Sequence, residues 1–201
     1  IKTVMFVHSE TTSGLINPLK EIAGIAKAAG KTVLVDTMSS FAAYETDLKA
    51  FGIDALASSA NKCLEGLPGL AFVVAAKKLL EGESCSKSLC LDLCDQYRYL
   101  YPDGKFRFTS PTTVLLALRR ALDLYKLEGG LEARKARYQA NHDALTEGMR
   151  RLGITSIVPE KWQSYIITTF DLGDISFANM YARLKADGFV IYPGKLTDKN
   201  T

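Results

Sequence analysis

Residues 32–62 read TVLVDTMSSFAAYETDLKAFGIDALASSANK. They open on a short β-branched run, Thr32 to Val35, closed by the acid Asp36 and the loop Thr37-Met38-Ser39-Ser40. An apolar run without polar alternation predicts a strand buried on both faces. Asp47 to Phe51 predict a short helical turn stopped by Gly52. Residues 53–58 (IDALAS) predict another strand, running into Ser58-Ser59-Ala60-Asn61-Lys62. Upstream, residues 2–8 (KTVMFVH) predict a first strand and Ser9 to Gly14 a loop of small hydroxyl residues. Residues 18–29 (PLKEIAGIAKAA) carry apolar positions at helical spacing, with Asn17 as cap, Pro18 in the first turn and Gly30 as stop. Downstream, Gly66, Pro68 and Gly69 mark a turn before a fourth strand at 70–75 (LAFVVA). This alternation predicts an α/β fold with a sheet covered on both faces.

The second half has another character. Residues 76–100 show no clear pattern, and 103–113 read as a loop. Helices are predicted over 114–128 and 131–152, broken at Gly129-Gly130 and stopped at Gly153. Residues 154–158 and 164–170 predict a hairpin, 176–187 a helix and 189–192 (FVIY) a strand. Hairpin and helix in place of strand–helix–strand predict a domain change along the two long helices, giving 1–128 and a smaller α+β domain at 129–201.

The composition is that of an ordinary globular chain. Of 201 residues, 47% are hydrophobic and 23% charged, which suffices for a sizeable core and excludes a disordered tail, a collagen-like repeat or a coiled coil. Lys and Arg total 25 against 22 acids, a net charge of +3, too small a surplus for a nucleic-acid surface or a polybasic membrane anchor. No apolar stretch is long enough to span a bilayer. The chain opens on a strand pattern rather than a leader, so a cytoplasmic setting is expected. With only His8 and His142, most histidine-based zinc sites and His-rich acid–base chemistry are disfavoured, and no metal is expected. Cys85, Cys90 and Cys94 follow a C-x4-C-x3-C spacing that lacks the C-x2-C pairs of a zinc ribbon. With Cys63 they are expected to be free thiols, buried or half-buried, Cys90 and Cys94 sharing a helix face.

The chemistry concentrates at strand ends. In an open parallel sheet, ligands bind beyond the carboxyl ends of the strands. Three polar clusters end three predicted strands: His8 to Thr12, Asp36 to Ser40, and Ser58 to Lys62. A carboxylate after a buried strand needs a partner or a ligand. A partly desolvated lysine can serve as nucleophile and base. An Asp and a Lys on adjacent strand ends fit pyridoxal phosphate, the Lys bonding its aldehyde and the Asp its pyridinium nitrogen. On spacing alone the alternative stands equally open, with Asp36 capping a loop and Lys62 a surface lysine.

The runs HSETTSG (8–14), VDTMSSF (35–41), SSANKCLEGLPG (58–69), FRFTSPT (106–112) and FVIYPGKLT (189–197), in this order, resemble the class V branch of the fold-type-I aminotransferases. The resemblance covers nearly the whole chain. It implies the pyridoxal-phosphate-dependent transferase fold of type I, here a partial, mostly parallel sheet of the large domain plus an α+β C-terminal small domain. It implies transfer of an amino group from a small-molecule amine to a 2-oxo acid, in a homodimer. It implies that Lys62 bonds the cofactor and shuttles the proton, and that Asp36 keeps the ring nitrogen protonated. Met38 would pack on a ring face, Thr12 would hydrogen-bond the phenolic oxygen, and Asn61 would lie near the phosphate. Thr109 would reach the phosphate of the neighbouring subunit's cofactor, and Glu10 and His8 would border the substrate. Without the resemblance, Met38 also reads as core filling, His8 as a core residue, and Asn61 and Thr109 as ordinary loop residues.

Family members also carry an N-terminal phosphate loop with a ring-stacking aromatic residue, and a C-terminal arginine that clamps the substrate carboxylate. Neither has a counterpart here, so a piece of a longer chain is expected, binding cofactor weakly by itself. A nucleotide or flavin module would show G-x-G-x-x-G after the first strand, where this sequence has Glu10-Thr11-Thr12-Ser13-Gly14. A fragment serving only to bind or dimerise is the remaining alternative.

Overall fold

The computed structural model describes residues 1–196 and 200–201. Its central sheet is built from β1 (Thr3–Val7), β4 (Thr32–Asp36), β5 (Ala55–Ser59) and β6 (Ala71–Ala75), in that spatial order. β1, β4 and β5 run parallel, with Val7 beside Asp36 and Asp36 beside Ala57. β6 turns back antiparallel on β5, pairing Ala71 with Ser59. The sheet is therefore mixed and mostly parallel, as expected. The third strand lies two residues further on than predicted at its start; Asp54 still donates its N–H to the Val33 carbonyl, and Ile53 packs into the core.

Alternation along the strands decides what is covered. Val4, Phe6, Val33, Val35 and Leu56 face one side. They pack with Leu19, Ala23 and Ala26 of α1 (Leu19–Ala28), with Ile53, and with Leu48 and Phe51 of α2 (Leu48–Phe51). α2 has its predicted ends: the Asp47 carboxylate accepts from Lys49 and Ala50 N–H, and Gly52 closes it at φ 73°. The opposite face carries Met5, Leu34, Ala55, Ala57 and Val73, and Met5 there is 72% exposed. The expectation of cover on both faces thus holds for one face among the described residues.

Other expectations need correction. Asn17 does not cap α1; Pro18 occupies that position, and the Asn17 amide donates to the Val7 carbonyl instead. The stretch 9–14 holds a short hairpin, β2 (Ser9–Glu10) against β3 (Leu15–Ile16). The unpatterned stretch contains α3 (Leu93–Asp103), capped by Asp92, so Cys90 lies outside the helix and shares no face with Cys94. All four cysteines are free, but Cys85 and Cys90 are exposed rather than buried. α4 (Thr112–Glu128) and α5 (Gly130–Arg151) form a helical hairpin through Gly129 at φ 116°. The predicted hairpin shrinks to β7 (Thr155–Ser156) on β8 (Phe170–Asp171), because residues 163–169 cross to the other half of the chain. After α6 (Phe177–Ala186), residues 189–192 form no strand; Phe189, Val190 and Tyr192 are exposed. Thr197, which closes the last quoted run, lies outside the described residues. Among the described residues no helix is long and apolar enough to cross a membrane.

The edge of the sheet remote from the polar clusters is tied together by Asp54. Its carboxylate accepts from Lys27 Nζ at 2.8 Å and from Val33 N–H at 2.9 Å, with Lys78 Nζ at 3.5 Å. Burial by itself would lift this carboxyl; the hydrogen bonds from Lys27 and Val33 and the charges of Lys27 and Lys78 outweigh it and hold the pKa below the ordinary value. The stabilisation is present above the unfolded-state value of about 3.9 and fades as pH falls below it. Asp54→Asn is expected to cost about 1–3 kcal/mol in urea unfolding at pH 7. The gap from the parent protein should narrow below pH 4; an unchanged gap would refute this account.

Candidate active site at the strand carboxyl ends

Because β1, β4 and β5 are parallel, their carboxyl ends share one edge, and His8–Thr12, Asp36–Ser40 and Ser58–Lys62 meet there. The three clusters are bonded together. His8 N–H donates to the Asp36 carbonyl at 2.8 Å, and Thr37 donates to the Ala57 carbonyl through both N–H and hydroxyl. Thr11 and Ser39 hydroxyls lie 2.8 Å apart, and the His8 Nδ1 lies 2.9 Å from the Ser40 hydroxyl.

Asp36 is half-buried at the end of β4. One carboxylate oxygen accepts from Met38 N–H at 2.8 Å; the other accepts no hydrogen bond among the described residues. Met38 is half-buried two residues beyond it. The Thr12 N–H and hydroxyl both donate to Glu10 Oε1 at 2.9 Å. These bonds, with a smaller contribution from the Lys195 charge, hold Glu10 below the usual carboxylate range. The proton that the resemblance assigns to a phenolic oxygen is thus committed to Glu10 in this structure.

Lys62 is exposed on the turn after β5, and its ammonium makes no hydrogen bond or ion pair among the described residues. Three carbonyls of the backbone around it are engaged. The Ala60 carbonyl accepts from Gly66 N–H at 2.8 Å, and that of Lys62 from Glu65 N–H at 2.8 Å. The Cys63 carbonyl accepts from Arg134 Nη1. Cys63 and Leu64 are buried, and the Cys63 thiol, pushed up to about 11 by burial, donates to the Ser39 carbonyl at 3.5 Å. That bond joins the Lys62 turn to the Asp36 loop; no ion pair joins the two side chains themselves. The Ser59 hydroxyl, three residues before Lys62, is buried without a partner. Asn61 is exposed on the same turn. Thr109 is exposed on the loop between α3 and α4, and no hydrogen bond among the described residues joins it to the strand ends.

Two groups of residues escaped the sequence reading. One is the charged set Glu65, Glu128, Arg134 and Arg137 behind the Lys62 turn. On a long charged helix such residues read as a solvated face, and nothing local marks them out. The other is the segment 163–169, which straps the strand ends. Ser164 N–H donates to the Gly14 carbonyl at 2.7 Å, and the Thr169 hydroxyl to the Thr12 carbonyl at 3.4 Å. Tyr165 stacks on Tyr44 at 4.0 Å and donates its hydroxyl to the Ala43 carbonyl. Tyr44 in turn meets the His8 ring edge-on at 5.3 Å.

Comparison with known proteins places this geometry in context. The family model "Aminotransferase class-V" matches residues 1–198. A 2-aminoethylphosphonate–pyruvate transaminase from Phocaeicola vulgatus is 48% identical over 205 residues, covering 100% of this chain and 57% of the relative. The Vibrio cholerae protein of the same name is 48% identical over 202 residues, covering 98% and 55%. The chain thus spans a little over half the length of these curated relatives. Among solved structures, an aspartate aminotransferase of subgroup IV from Thermus thermophilus superposes with TM-score 0.87 at 26% identity, covering 98% of this chain and 56% of its own. An alanine–glyoxylate aminotransferase from Nostoc sp. gives 0.86 at 26%, covering 98% and 54%.

Two tests concern this edge. A Cβ at Gly66 would lie 2.9 Å from the Ala60 carbonyl oxygen, backbone that cannot swing aside. Gly66→Ala is expected to cost about 1–3 kcal/mol in denaturant unfolding; a neutral result would contradict the tight turn. Burial lowers His8 to about 4. The unfolded chain takes up this proton near pH 6.5 and the folded chain only near 4, so stability drains away as pH falls through that window. The His8 ring resonances are expected to stay constant from pH 8 to about 5 in an NMR titration; a midpoint near 6.5 would contradict its burial as the neutral ring.

Proposed function

The chain belongs to the class-V aminotransferase family, and from that premise we propose that it carries the reactive lysine of a 2-aminoethylphosphonate–pyruvate transaminase. The overall reaction exchanges the amine of 2-aminoethylphosphonate with the keto oxygen of pyruvate, yielding phosphonoacetaldehyde and L-alanine. The carrying observation is the 48% identity to relatives of that name across essentially the whole chain. We assign the protein to phosphonate degradation in the cytoplasm; four free thiols accord with a reducing setting.

The residues at the strand ends fit pyridoxal phosphate. Lys62 offers an unpaired amine, Asp36 an uncommitted carboxylate oxygen, and Ser59 a buried hydroxyl still lacking a partner. When bound, this cofactor supplies an aldehyde that accepts the amino group and a ring that withdraws electrons from the neighbouring carbon. Lys62 Nζ would form the covalent link. Once displaced by the substrate amine, it would take a proton from the amine-bearing carbon. One group acts as nucleophile and base, so its placement counts as much as its basicity. The Asp36 carboxylate would hold the proton on the ring nitrogen. Met38 would support the ring face, and Asn61 would stand beside the phosphate. Thr12 would turn its hydroxyl from Glu10 toward the phenolic oxygen. Thr109, exposed on its loop, would serve the cofactor of the second subunit in a homodimer. Residues 1–128 would form the larger cofactor-binding lobe and 129–201 part of the smaller one.

The full-length protein given 2-aminoethylphosphonate and pyruvate is expected to form alanine. Lys62→Ala should lower the rate by about 10³-fold or more. Alanine formed only from other amino donors would move the assignment to a sister enzyme of the alanine– or serine–glyoxylate type. Absence of any visible absorbance on adding the cofactor would favour a purely interacting chain.

A further inference from the structure

We propose that Arg134 is a positioning residue for Lys62. This rests on Lys62 being the lysine that takes the cofactor. Arg134 lies on the second turn of α5 and is 2% exposed, rare for an unbound arginine. Its guanidinium is spent in separate directions. Nε and Nη2 both reach Glu128 Oε2, at 2.7 and 2.5 Å, Nη2 also lies 3.5 Å from Glu65 Oε2, and Nη1 turns the other way to donate to the Cys63 carbonyl. The Tyr125 ring lies 5.1 Å from the guanidinium carbon. Arg137 completes the cage, reaching Glu128 and Glu65 at 2.8 Å each, and the two arginines hold the Glu128 carboxyl down to about 2.

The consequence falls on the residue next to Lys62. Among the described residues the Cys63 carbonyl is the one backbone acceptor of this turn whose donor comes from a distant element; the Ala60 and Lys62 carbonyls are served from within the turn. Glu65 is a non-glycine residue in the left-handed region, φ 58°, a conformation that persists only where its surroundings enforce it. Its carboxylate is held by Arg137, by Tyr138 at 3.3 Å and by Arg134. The cage therefore grips the turn at Cys63 and at Glu65, on either side of Leu64 and directly after Lys62. It fixes the direction in which the Lys62 side chain leaves the backbone. A lysine at 134 could not replace it, because an ammonium lacks the planar fork that serves a carbonyl and two carboxylates together.

The test uses the full-length protein and reads attachment rather than turnover. Pyridoxal phosphate is added at a temperature well below unfolding. The lysine amine condenses with its aldehyde, losing water, and borohydride delivers hydride to the resulting C=N bond. Peptide mapping then identifies the labelled lysine and gives its rate. Arg134→Lys is expected to slow labelling of Lys62 by about 10²-fold, the effect of a misplacement near 1 Å. Ile154→Ala, in the small core beside β7, should lower thermal stability while leaving that rate unchanged. Glu128→Gln should slow labelling in the same direction by a smaller factor, and it decides the matter if Arg134→Lys fails to fold. Labelling of Lys62 at the parent rate in the folded variant would overturn the proposal. A label on another lysine in the parent protein would overturn the reading of Lys62 instead.

Discussion

A rigid backbone under an unpaired amine is the constraint on which the rest of this structure depends. The Ala60 and Lys62 carbonyls accept from within the turn and that of Cys63 from α5, and Cys63 and Leu64 are buried, while the Lys62 ammonium is left without a partner among the described residues. A lysine engaged in an ion pair would have to break it before reacting; a lysine on a mobile loop would lose the benefit of fixed orientation. With Lys62 as the proposed reacting residue, both are avoided by restraining its neighbours, through the Cys63 carbonyl and thiol and the Glu65 carboxylate, and not its ammonium. The requirement explains Gly66, where the Ala60 carbonyl leaves no room for a side chain, and the left-handed Glu65.

The parallel order of β1, β4 and β5 does the remaining assembly. It sets the three polar clusters on one edge, and the Thr37 and His8 hydrogen bonds stitch them before any side chain is considered. The opposite edge carries Asp54, whose buried carboxylate binds α1, β4 and the segment after β6. A carboxylate saturated with donors, like Asp54, is a poor partner for a ligand. Asp36, with one oxygen uncommitted, is a good one.

The second half of the chain contributes to the first half's site from two directions. α5 grips the Lys62 turn from behind through Arg134. Residues 163–169 strap the loops after β1 and β4 through Ser164, Tyr165 and Thr169. Close approach at Gly14 matters here: a Cβ would strike the Ile167 carbonyl oxygen, and the residue sits at φ 78°. The stack of Tyr165 on Tyr44, and of Tyr44 against the neutral His8, continues the strap down to the Asp36 loop through Ser40.

What the sequence determined by itself was whatever neighbouring residues decide between them. The β-branched run closing on Asp36, the Asp47 and Gly52 ends of α2, and the position of Lys62 just past a strand all follow from local pattern. The common edge followed too, once the strands were taken as parallel. Tertiary structure alone decided the rest. It turned β6 antiparallel, drew residues 163–169 out of a hairpin, left 189–192 without a strand and buried Arg134 among acids. Arg134 and Cys63 stand 71 positions apart, and Tyr165 and Ala43 122 apart. Such partners leave no mark on each other's periodicity, because a hydrogen bond is set by proximity in space and a local pattern only by proximity along the chain.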